Sequence, residues 1–255
     1  MSTDFAIPDL DRARRFVATY APPGEALLVA VTGAHLYGFP SPDSDVDLKG
    51  VHQAETASLL GLEIPDETHD VLRDFEGIEH DLTTHELRKA FTLLLGGNGN
   101  LLEQVFSPIQ LFEGETLEAL RELARGAISR RHARHYRGFF GGCQREHARE
   151  PRVKSMLYAY RVALTGVHLL RTGECIADVR ELGPRYGFED VLELVALKGS
   201  GQEKGPLPPE LDRVHRARWP KLEAALDDAL ETSPLPEEPR GRDAIDAWLV
   251  ARRQG

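Results

Sequence analysis

The sequence predicts an α+β fold, with a mixed β-sheet flanked by helices in residues 1–112 and a helical bundle in residues 113–255. Short apolar runs bounded by turn residues, such as residues 28–31, recur in the first part and are typical of strands. From Thr116 onward, apolar residues recur mainly at helical spacing. Charge changes at the same place, because residues 1–112 hold 18 acidic and 7 basic side chains, and the remainder holds 23 and 24.

Local signals place the elements of the first part. Leu10, Ala13, Phe16 and Val17 have helical spacing and predict a helix over residues 8–20, which the Ala-Pro-Pro-Gly run at 21–24 ends. The further predicted elements are a strand at 28–31, a strand carrying the acidic pair described below, a short helix or loop at 57–64, an edge strand at 68–75, a strand at 76–83, a helix at 84–95, a turn at 96–100 and a short helix ending at 106.

The second part is predicted to be helical, with interruptions where glycine, proline or polar residues cluster. The predicted interruptions lie at 141–142, 172–173, 198–209 and 233–240, and the last of these is interpreted as a proline-rich linker to a final helix at 243–253. No internal repeat is visible.

Residues 28–51 contain the most specific pattern. An apolar strand leads into a turn between Gly33 and Gly38, and a second strand then carries Asp45 and Asp47. Residues two apart in a strand share one face, with Cα atoms about 6.5 Å apart. Two carboxylates held together repel each other unless a cation lies between them, and Mg²⁺ commonly takes one or two carboxylates plus phosphate oxygens. The pattern therefore indicates metal-assisted phosphoryl or nucleotidyl transfer, although Asp-x-Asp alone is also common in loops.

The neighbours of the acidic pair strengthen this interpretation. Val46 and Leu48 alternate with the two aspartates, so one face of the strand should be buried while the other presents the acids. The glycines permit close approach of backbone N–H groups to an anion. Ser44 and Lys49 flank the pair and supply a hydroxyl group and a cation.

The turn and the Ser44-Asp45-x-Asp47 motif resemble the nucleotidyltransferase superfamily typified by DNA polymerase β. In detail the sequence is most similar to the RNA repair pathway DNA polymerase β family, or minimal nucleotidyltransferases. Residues 80–108 resemble that group's third-carboxylate strand and following helix, and residues 154–173 resemble its long C-terminal helix, so the resemblance covers residues 25–200 or so. The family usually has Gly-Ser at the turn, whereas this chain has Gly33-Ala34, which implies weaker phosphate binding unless Thr32 compensates.

The resemblance implies a metal-dependent transfer of NMP from an NTP to an acceptor hydroxyl, with Mg²⁺ or Mn²⁺ held by Asp45, Asp47 and Asp81. Glu79 competes with Asp81 as the third carboxylate, since it lies two residues earlier on the same strand face. The residues expected to bind the nucleotide are Gly33, Ala34, Ser44, Lys154 and Arg161. Lys154 and Arg161 share a helix face with Tyr158, whose alternative role is core packing.

A second interpretation concerns the helical part. Arg161 and His168 match the loose Arg-x(4–6)-His pattern of HEPN ribonuclease domains, which often accompany minimal nucleotidyltransferases. Arg130 and His135 match the same pattern, which shows that it arises easily by chance.

Composition limits the class of protein and of acceptor. The two cysteines are too few for a disulfide framework or a structural zinc site, no apolar run could span a bilayer, and the N-terminus lacks a secretory pattern, so we expect a cytoplasmic protein without a membrane partner. Residues 125–161 carry ten Lys or Arg and only two acids, a candidate nucleic-acid interface or a solvated helical face.

Three function classes stay open: a transferase acting on a nucleic-acid 3′ end in repair, an antitoxin-type or small-molecule nucleotidyltransferase, and a non-catalytic nucleotide-binding or ribonuclease module. The net charge of −10 favours the second class and the local basic stretch favours the first. The sequence does not identify the oligomeric state.

Overall fold

A computed structural model of the chain describes residues 8–201 and 206–254, which form two compact units. The sheet unit consists of residues 8–35, Asp45–Ile128 and 239–254. The helical unit consists of Leu36–Ser44 and residues 129–201 and 206–238. The sheet unit therefore includes the last helix, and the helical unit includes a short segment from the first part of the chain. The predicted division of the chain into domains 1–112 and 113–255 stays a prediction.

Four strands and twelve helices are assigned in the described residues. The strands are β1 (Glu25–Val31), β2 (Val46–Gln53), β3 (Thr68–Phe75) and β4 (Ile78–Glu86). The helices are α1 (Leu10–Thr19), α2 (Gly33–Leu36), α3 (Leu87–Leu95), α4 (Gly99–Phe106), α5 (Glu115–Ala127), α6 (His132–Arg149), α7 (Val153–Thr172), α8 (Val179–Arg185), α9 (Val191–Gly199), α10 (Pro209–Arg216), α11 (Trp219–Glu231) and α12 (Arg242–Gln254). A 3₁₀ turn occupies Thr56–Leu59. The α+β fold class is confirmed.

The sheet has the strand order β1-β2-β4-β3, in which β2 and β4 are parallel and the two outer pairs are antiparallel. The parallel pair lies at the centre because the hairpin β3–β4 returns to the sheet beside β2. The outer side of β1 is covered by residues 109–111, since the Val31 N–H donates to the Ile109 carbonyl and the Leu111 N–H donates to the Val29 carbonyl. The strands that carry the acidic residues therefore occupy the middle of the sheet.

One apolar cluster fixes α1 on the sheet. Phe16 of α1 is fully buried with Val29, Leu48 and Leu82, which come from three different strands. Burial of one such side chain contributes about 1.5–3 kcal/mol, so this packing holds β1, β2 and β4 in their relative register. Asp9 caps the helix by accepting a hydrogen bond from the Arg12 N–H at 2.9 Å. The first helix is confirmed, two residues shorter at its start than predicted.

The final helix, α12, packs in the sheet unit. Arg253 forms an ion pair with Glu86, in which both side chains are nearly buried, and it donates to the Ala54 carbonyl at 2.6 Å. Arg252 donates to the Gln53 side chain at 2.6 Å, and the Trp248 ring lies 5.8 Å from the ring of Phe91. The C-terminal helix therefore fastens the ends of β2 and β4.

The helical unit is built around α7. This helix is buried on nearly all faces, and α6, α8, α9 and α11 pack around it. Such all-round burial explains why its sequence shows little amphipathic pattern. The predicted break at 172–173 is confirmed, since Gly173 ends α7 in the left-handed conformation.

Two predicted boundaries were wrong. The break at Gly141-Gly142 is absent, because α6 runs unbroken from His132 to Arg149 and buries Phe140 and Cys143, which outweighs the helix cost of about 1 kcal/mol per glycine. The helix predicted from Thr84 begins only at Leu87, because Thr84 pairs with Gly50 and continues β4. Among the described residues no helix is long and apolar enough to cross a membrane.

Buried histidines predict the response of stability to acid. Burial lowers the pKa of His52 and of His132 from 6.5 to about 4. Between pH 6.5 and 4 these histidines therefore bind protons in the unfolded chain but not in the folded protein. Each histidine lowers the free energy of unfolding by about 1.4 kcal/mol for each unit by which its folded pKa is depressed. We expect the free energy of unfolding, measured by urea titration, to be highest above pH 6.5 and to fall towards pH 4.

A matched variant isolates one of these histidines. His132 lies 3.1 Å from the Ser129 carbonyl through Nδ1, and an asparagine amide can make the same bond without titrating. The His132→Asn variant should lose part of the acid dependence between pH 6.5 and 4. An unchanged slope of unfolding free energy against pH would contradict this explanation.

Candidate active site

The acidic pair lies at the start of β2 in the sheet unit. Asp45 immediately precedes the strand and is exposed, while Asp47 is its second residue and is half-buried. The intervening Val46 is buried, as is Leu48. Burial therefore alternates as the sequence predicts, with the apolar side chains in the core and the two acids away from it.

Asp81 lies beside Asp47. Strands β2 and β4 are parallel neighbours, and the Cα atoms of Asp47 and Asp81 are direct partners in their register. Neighbouring strands are about 4.8 Å apart, so the two carboxylates leave the sheet next to each other. Glu79, the competing third acid, lies before the first paired position, Val46 with His80, and is exposed. The roles of Asp45, Asp47 and Asp81 as metal ligands stay predictions.

Lys49 supplies positive charge at this point of the sheet. Its Nζ lies 2.9 Å from Asp81 Oδ2 and 2.9 Å from Thr83 Oγ1. Because Lys49 is the Cα partner of Thr83, the strand register itself brings the ammonium group to Asp81. Both charged side chains are partly solvent-accessible, so this ion pair contributes at most about 1 kcal/mol to stability. Its main effect is electrostatic: it offsets the repulsion between the two adjacent carboxylates.

Gly33 closes one side of the acidic pair. Its φ is +61°, and a Cβ placed on it would lie 1.7 Å from Asp47 Oδ2. The carboxylate of Asp47 therefore contacts the backbone at the start of α2, in space that only glycine leaves free. The Thr32 N–H donates to the Asp47 carbonyl at 2.8 Å, and the Thr32 hydroxyl contacts the same oxygen at 3.3 Å. Thr32 thus binds the protein backbone, and Ala34, which follows Gly33, is buried.

Ser44 has a structural hydrogen-bond pattern. Its Oγ accepts from the Ser41 N–H at 2.8 Å and lies 3.0 Å from the Ser41 hydroxyl, while its own N–H donates to the Ser41 carbonyl at 3.0 Å. Ser44 belongs to the helical unit, and Asp45, the next residue, belongs to the sheet unit. Its predicted contact with the nucleotide stays a prediction.

The residues present suit a hard divalent cation by their chemistry. Mg²⁺ and Mn²⁺ prefer carboxylate oxygens and usually retain waters or take substrate phosphate oxygens. No three His, Cys, Asp or Glu side chains in residues 8–201 and 206–254 converge as a ready-made metal site. Asp45 and Asp47 would therefore supply the one or two protein ligands of a first ion. Asp81 would bind a second ion only after its ion pair with Lys49 is broken.

The predicted helical residues lie in the helical unit. Lys154 is exposed at the start of α7, and Arg161 is buried two turns later with its guanidinium 3.8 Å from the centre of the Tyr37 ring. His168 is also buried, and its Nδ1 lies 2.8 Å from the Tyr186 hydroxyl. A ribonuclease site needs groups that reach RNA, so the burial of Arg161 and His168 gives the ribonuclease interpretation no support. Binding of nucleotide by Lys154 and Arg161 stays a prediction.

Sequence reasoning missed Lys198, whose side chain is fully buried on α9 and donates to Ser41 at 3.3 Å. The sequence feature that could have indicated a buried lysine is its position directly after the apolar run Leu-Val-Ala-Leu. A lysine at that position is equally expected at the C-terminal end of a helix, where it stabilises the helix dipole. The ion pair of Lys49 with Asp81 was also missed, although the sequence places Lys49 two residues after Asp47 on the same strand.

Removal of Lys49 should make the sheet unit respond more strongly to divalent cations. In Lys49→Met, Asp81 loses the cation that it contacts, so Mg²⁺ takes over that role and stabilises the folded state by linkage. We expect a larger rise in Tm on addition of MgCl₂ than for the unsubstituted protein. Lys89→Met is the matched control, because Lys89 binds Thr68 and no site carboxylate. Equal Mg²⁺ responses in all three proteins would rule out this role.

Comparisons with known proteins identify relatives over nearly the whole chain. A model of the RNA repair pathway DNA polymerase beta family matches residues 12–251. An uncharacterised protein of Methanocaldococcus jannaschii, MJ0002, is 24% identical over 226 residues, covering 87% of this chain and 91% of the relative. The uncharacterised protein YcgL of Bacillus subtilis is 31% identical over 121 residues, covering 45% of this chain and 42% of the relative.

Among solved structures, a nucleotidyltransferase-like protein from Exiguobacterium sibiricum is 14% identical, with a TM-score of 0.34, and the match covers 86% of this chain and 74% of that protein.

Proposed function

We propose, from the premise that this chain belongs to the RNA repair pathway DNA polymerase beta family, that it is a metal-dependent nucleotidyltransferase which moves NMP from an NTP to an acceptor hydroxyl. The observation that carries the proposal is the register of the two central strands, which puts Asp47 beside Asp81, with Asp45 two residues before Asp47. Membership of the family supports the general class of reaction. The acidic residues support the dependence on metal.

In this reaction the acceptor oxygen forms a bond to the α-phosphorus, the bond from that phosphorus to the α,β-bridging oxygen breaks, and pyrophosphate leaves with those electrons. The proton of the acceptor hydroxyl passes to water. Mg²⁺ or Mn²⁺, held by Asp45, Asp47 and Asp81, would neutralise charge on the phosphates and lower the pKa of the acceptor hydroxyl. The chain itself does little covalent work, so its contribution is positioning and charge.

Individual residues have separable tasks in this proposal. Asp45 and Asp47 would hold the divalent ion, which would supply positive charge to orient the triphosphate. The backbone of the turn that begins at Gly33 and Ala34 contacts the β- and γ-phosphates, and its short side chains permit that approach. Lys49 would hold Asp81 in place in the absence of a bound cation, because their side chains are in direct contact.

The surface of α6 favours a nucleic-acid acceptor. Arg134, Arg145 and Arg149 are exposed and lie on one helix face, with Gly138 and Gly141 between them. On a different side of the same helix, Phe139 is 45% exposed and its ring stacks on His135 at 4.4 Å. Exposed arginines and an exposed aromatic ring on one helix suit a single strand, since phosphates bind cations and bases stack on aromatic rings.

The alternative acceptor is a protein or a small molecule, as for antitoxin-type nucleotidyltransferases. The net charge of −10 favours it, because proteins that bind nucleic acid are usually basic overall. The two acceptors predict different products.

Purified protein incubated with α-labelled NTPs, Mg²⁺ or Mn²⁺, and a panel of single-stranded RNA, primed DNA and protein acceptors tests the proposal. Label on a polynucleotide supports the first acceptor, and label on protein or on small solutes supports the second. Absence of any transferred label with either metal and all four nucleotides would refute nucleotidyl transfer.

A further inference from the structure

The segment Leu36–Ser44 connects two groups of predicted site residues. It follows Gly33 and Ala34 along the chain, and its last residue is joined directly to Asp45. This segment belongs to the helical unit. Tyr37, Phe39 and Ser41 are all buried in it, which is uncommon for a connecting loop because buried backbone needs hydrogen-bond partners. The helical unit therefore supplies the surroundings of the segment that leads to Asp45.

Two interactions hold the first half of the segment. The Val179 N–H donates to the Tyr37 carbonyl at 3.0 Å, and the Arg161 guanidinium lies over the Tyr37 ring at 3.8 Å. At the next residue, Gly38 has a φ of +83°, and a Cβ there would lie 2.0 Å from Asp178 Oδ1. Backbone and ring are thus both fixed at this point, and the buried Arg161 contributes by packing on an aromatic face.

Lys198 holds the second half. Its side chain is fully buried, its Nζ lies 3.3 Å from Ser41 Oγ, and it lies 5.7 Å from the centre of the Phe39 ring. Burial of an ammonium group is costly, so a fully buried lysine makes its contacts at considerable expense in stability. Ser41 in turn is joined to Ser44 by backbone and side-chain hydrogen bonds between 2.8 and 3.0 Å. One continuous path therefore runs from Lys198 through Ser41 and Ser44 to Asp45.

We propose that Lys198, through Ser41, is a positioning residue that sets the placement of the Asp45 carboxylate, and that Arg161 does the same for the start of the segment through Tyr37. This inference rests on the proposed function, since it assigns these residues to the same reaction. It gives Arg161 a role other than the nucleotide contact that its sequence position predicts. The consequence is that changes deep in the helical unit alter the divalent-cation affinity and the turnover of the site.

Ser41→Ala tests the path directly, because it removes one hydroxyl group and leaves the lysine in place. We expect kcat to fall by about tenfold or more, and the half-saturating Mg²⁺ concentration to rise severalfold, while KM for the NTP changes by less than about twofold. Ser41→Thr keeps the oxygen and should restore most of kcat. Lys198→Met should reproduce the Ser41→Ala effect if it folds.

Ser200→Ala is the matched control, because Ser200 is an exposed serine two residues from Lys198 whose hydroxyl binds the Leu197 carbonyl. It should match the unsubstituted protein in every measurement. A raised KM with unchanged kcat in Ser41→Ala would overturn the proposal, since it would indicate a direct nucleotide contact. Unchanged kcat and Mg²⁺ dependence in Ser41→Ala would also overturn it.

Manganese binding, measured by electron paramagnetic resonance without nucleotide, separates this inference from the proposed function. If the protein binds Mn²⁺ and Ser41→Ala weakens that binding, the positioning role holds even where no nucleotide is transferred. If nucleotide is transferred and Ser41→Ala binds Mn²⁺ as the unsubstituted protein does, the positioning role fails and the proposed function stands. A protein that neither binds Mn²⁺ nor transfers nucleotide would refute both.

Discussion

The Asp45→Asn/Asp47→Asn double variant is expected to lose nucleotide transfer completely, with the remaining rate below about 10⁻³ of the original. Asparagine keeps the size of each side chain but removes the negative charge that a divalent cation needs. Val46 and Leu48, which fix the strand in the core, are untouched. Removal of mutually repelling charges should leave Tm unchanged or raised. The measurements are transfer of label from an α-labelled NTP and a thermal unfolding curve in the same buffer.

A control variant distinguishes the effect of removing charge at Asp45 and Asp47 from the effect of lowering the net negative charge of the protein. Asp74→Asn changes an exposed acid at the end of β3, whose Cα partner is Glu79, and should leave transfer unaffected. Transfer at the original rate by the double variant would contradict the assignment of Asp45 and Asp47. An equal loss in Asp74→Asn would show that net charge, and not the acidic pair, controls the rate.

Gly33→Ala is expected to have the second largest effect. The added Cβ would lie 1.7 Å from Asp47 Oδ2, so the carboxylate or the turn must move. Misplacement of a reacting group by about 1 Å typically lowers a rate by about 10²-fold, and we expect a loss of that order. The residue must also adopt a φ of +61°, which costs a further 1–2 kcal/mol or so in stability for alanine.

Gly77→Ala provides the matched control for backbone strain. Gly77 has a φ of +80° in the turn between β3 and β4, and a Cβ added there would meet no atom within 4 Å. This variant should lose a similar free energy of unfolding through strain but keep its transfer rate. If both variants lose the same activity, strain explains the loss. If Gly33→Ala retains full activity, contact between Gly33 and Asp47 has no part in catalysis.

Much of the sheet unit could be predicted from local sequence. Alternation of Val46 and Leu48 with the acids predicted the burial pattern of β2, and the apolar spacing around Phe16 predicted α1. These signals are local, because each depends on which face of one element is buried. The Gly141-Gly142 pair failed as a local signal, since the packing of α6 on α7 decides whether that helix continues. Local propensity is a weak prior wherever tertiary burial is strong.

The site was predictable only in part for the same reason. The sequence predicts Asp45, Asp47 and Asp81 as metal ligands, and the family resemblance suggests that they belong together; these roles stay predictions. The register that makes Asp47 and Asp81 neighbours joins residues 34 positions apart, and the pairing of Lys49 with Asp81 follows from that register. No spacing rule within one strand contains this information. Likewise, Ser44 is adjacent to an acidic motif in sequence, but its hydroxyl is engaged by Ser41.

The ion pair between Arg253 and Glu86 has a consequence for biosynthesis. Glu86 ends the central strand β4, and Ala54, which directly follows β2, also accepts a hydrogen bond from Arg253. Glu86 is nearly inaccessible to solvent, so before its partner is translated it must keep its charge hydrated. We therefore expect the ends of β2 and β4 to stay locally open until Arg253 has been added to the growing chain, and a truncation before residue 252 to leave a protein prone to proteolysis near β4.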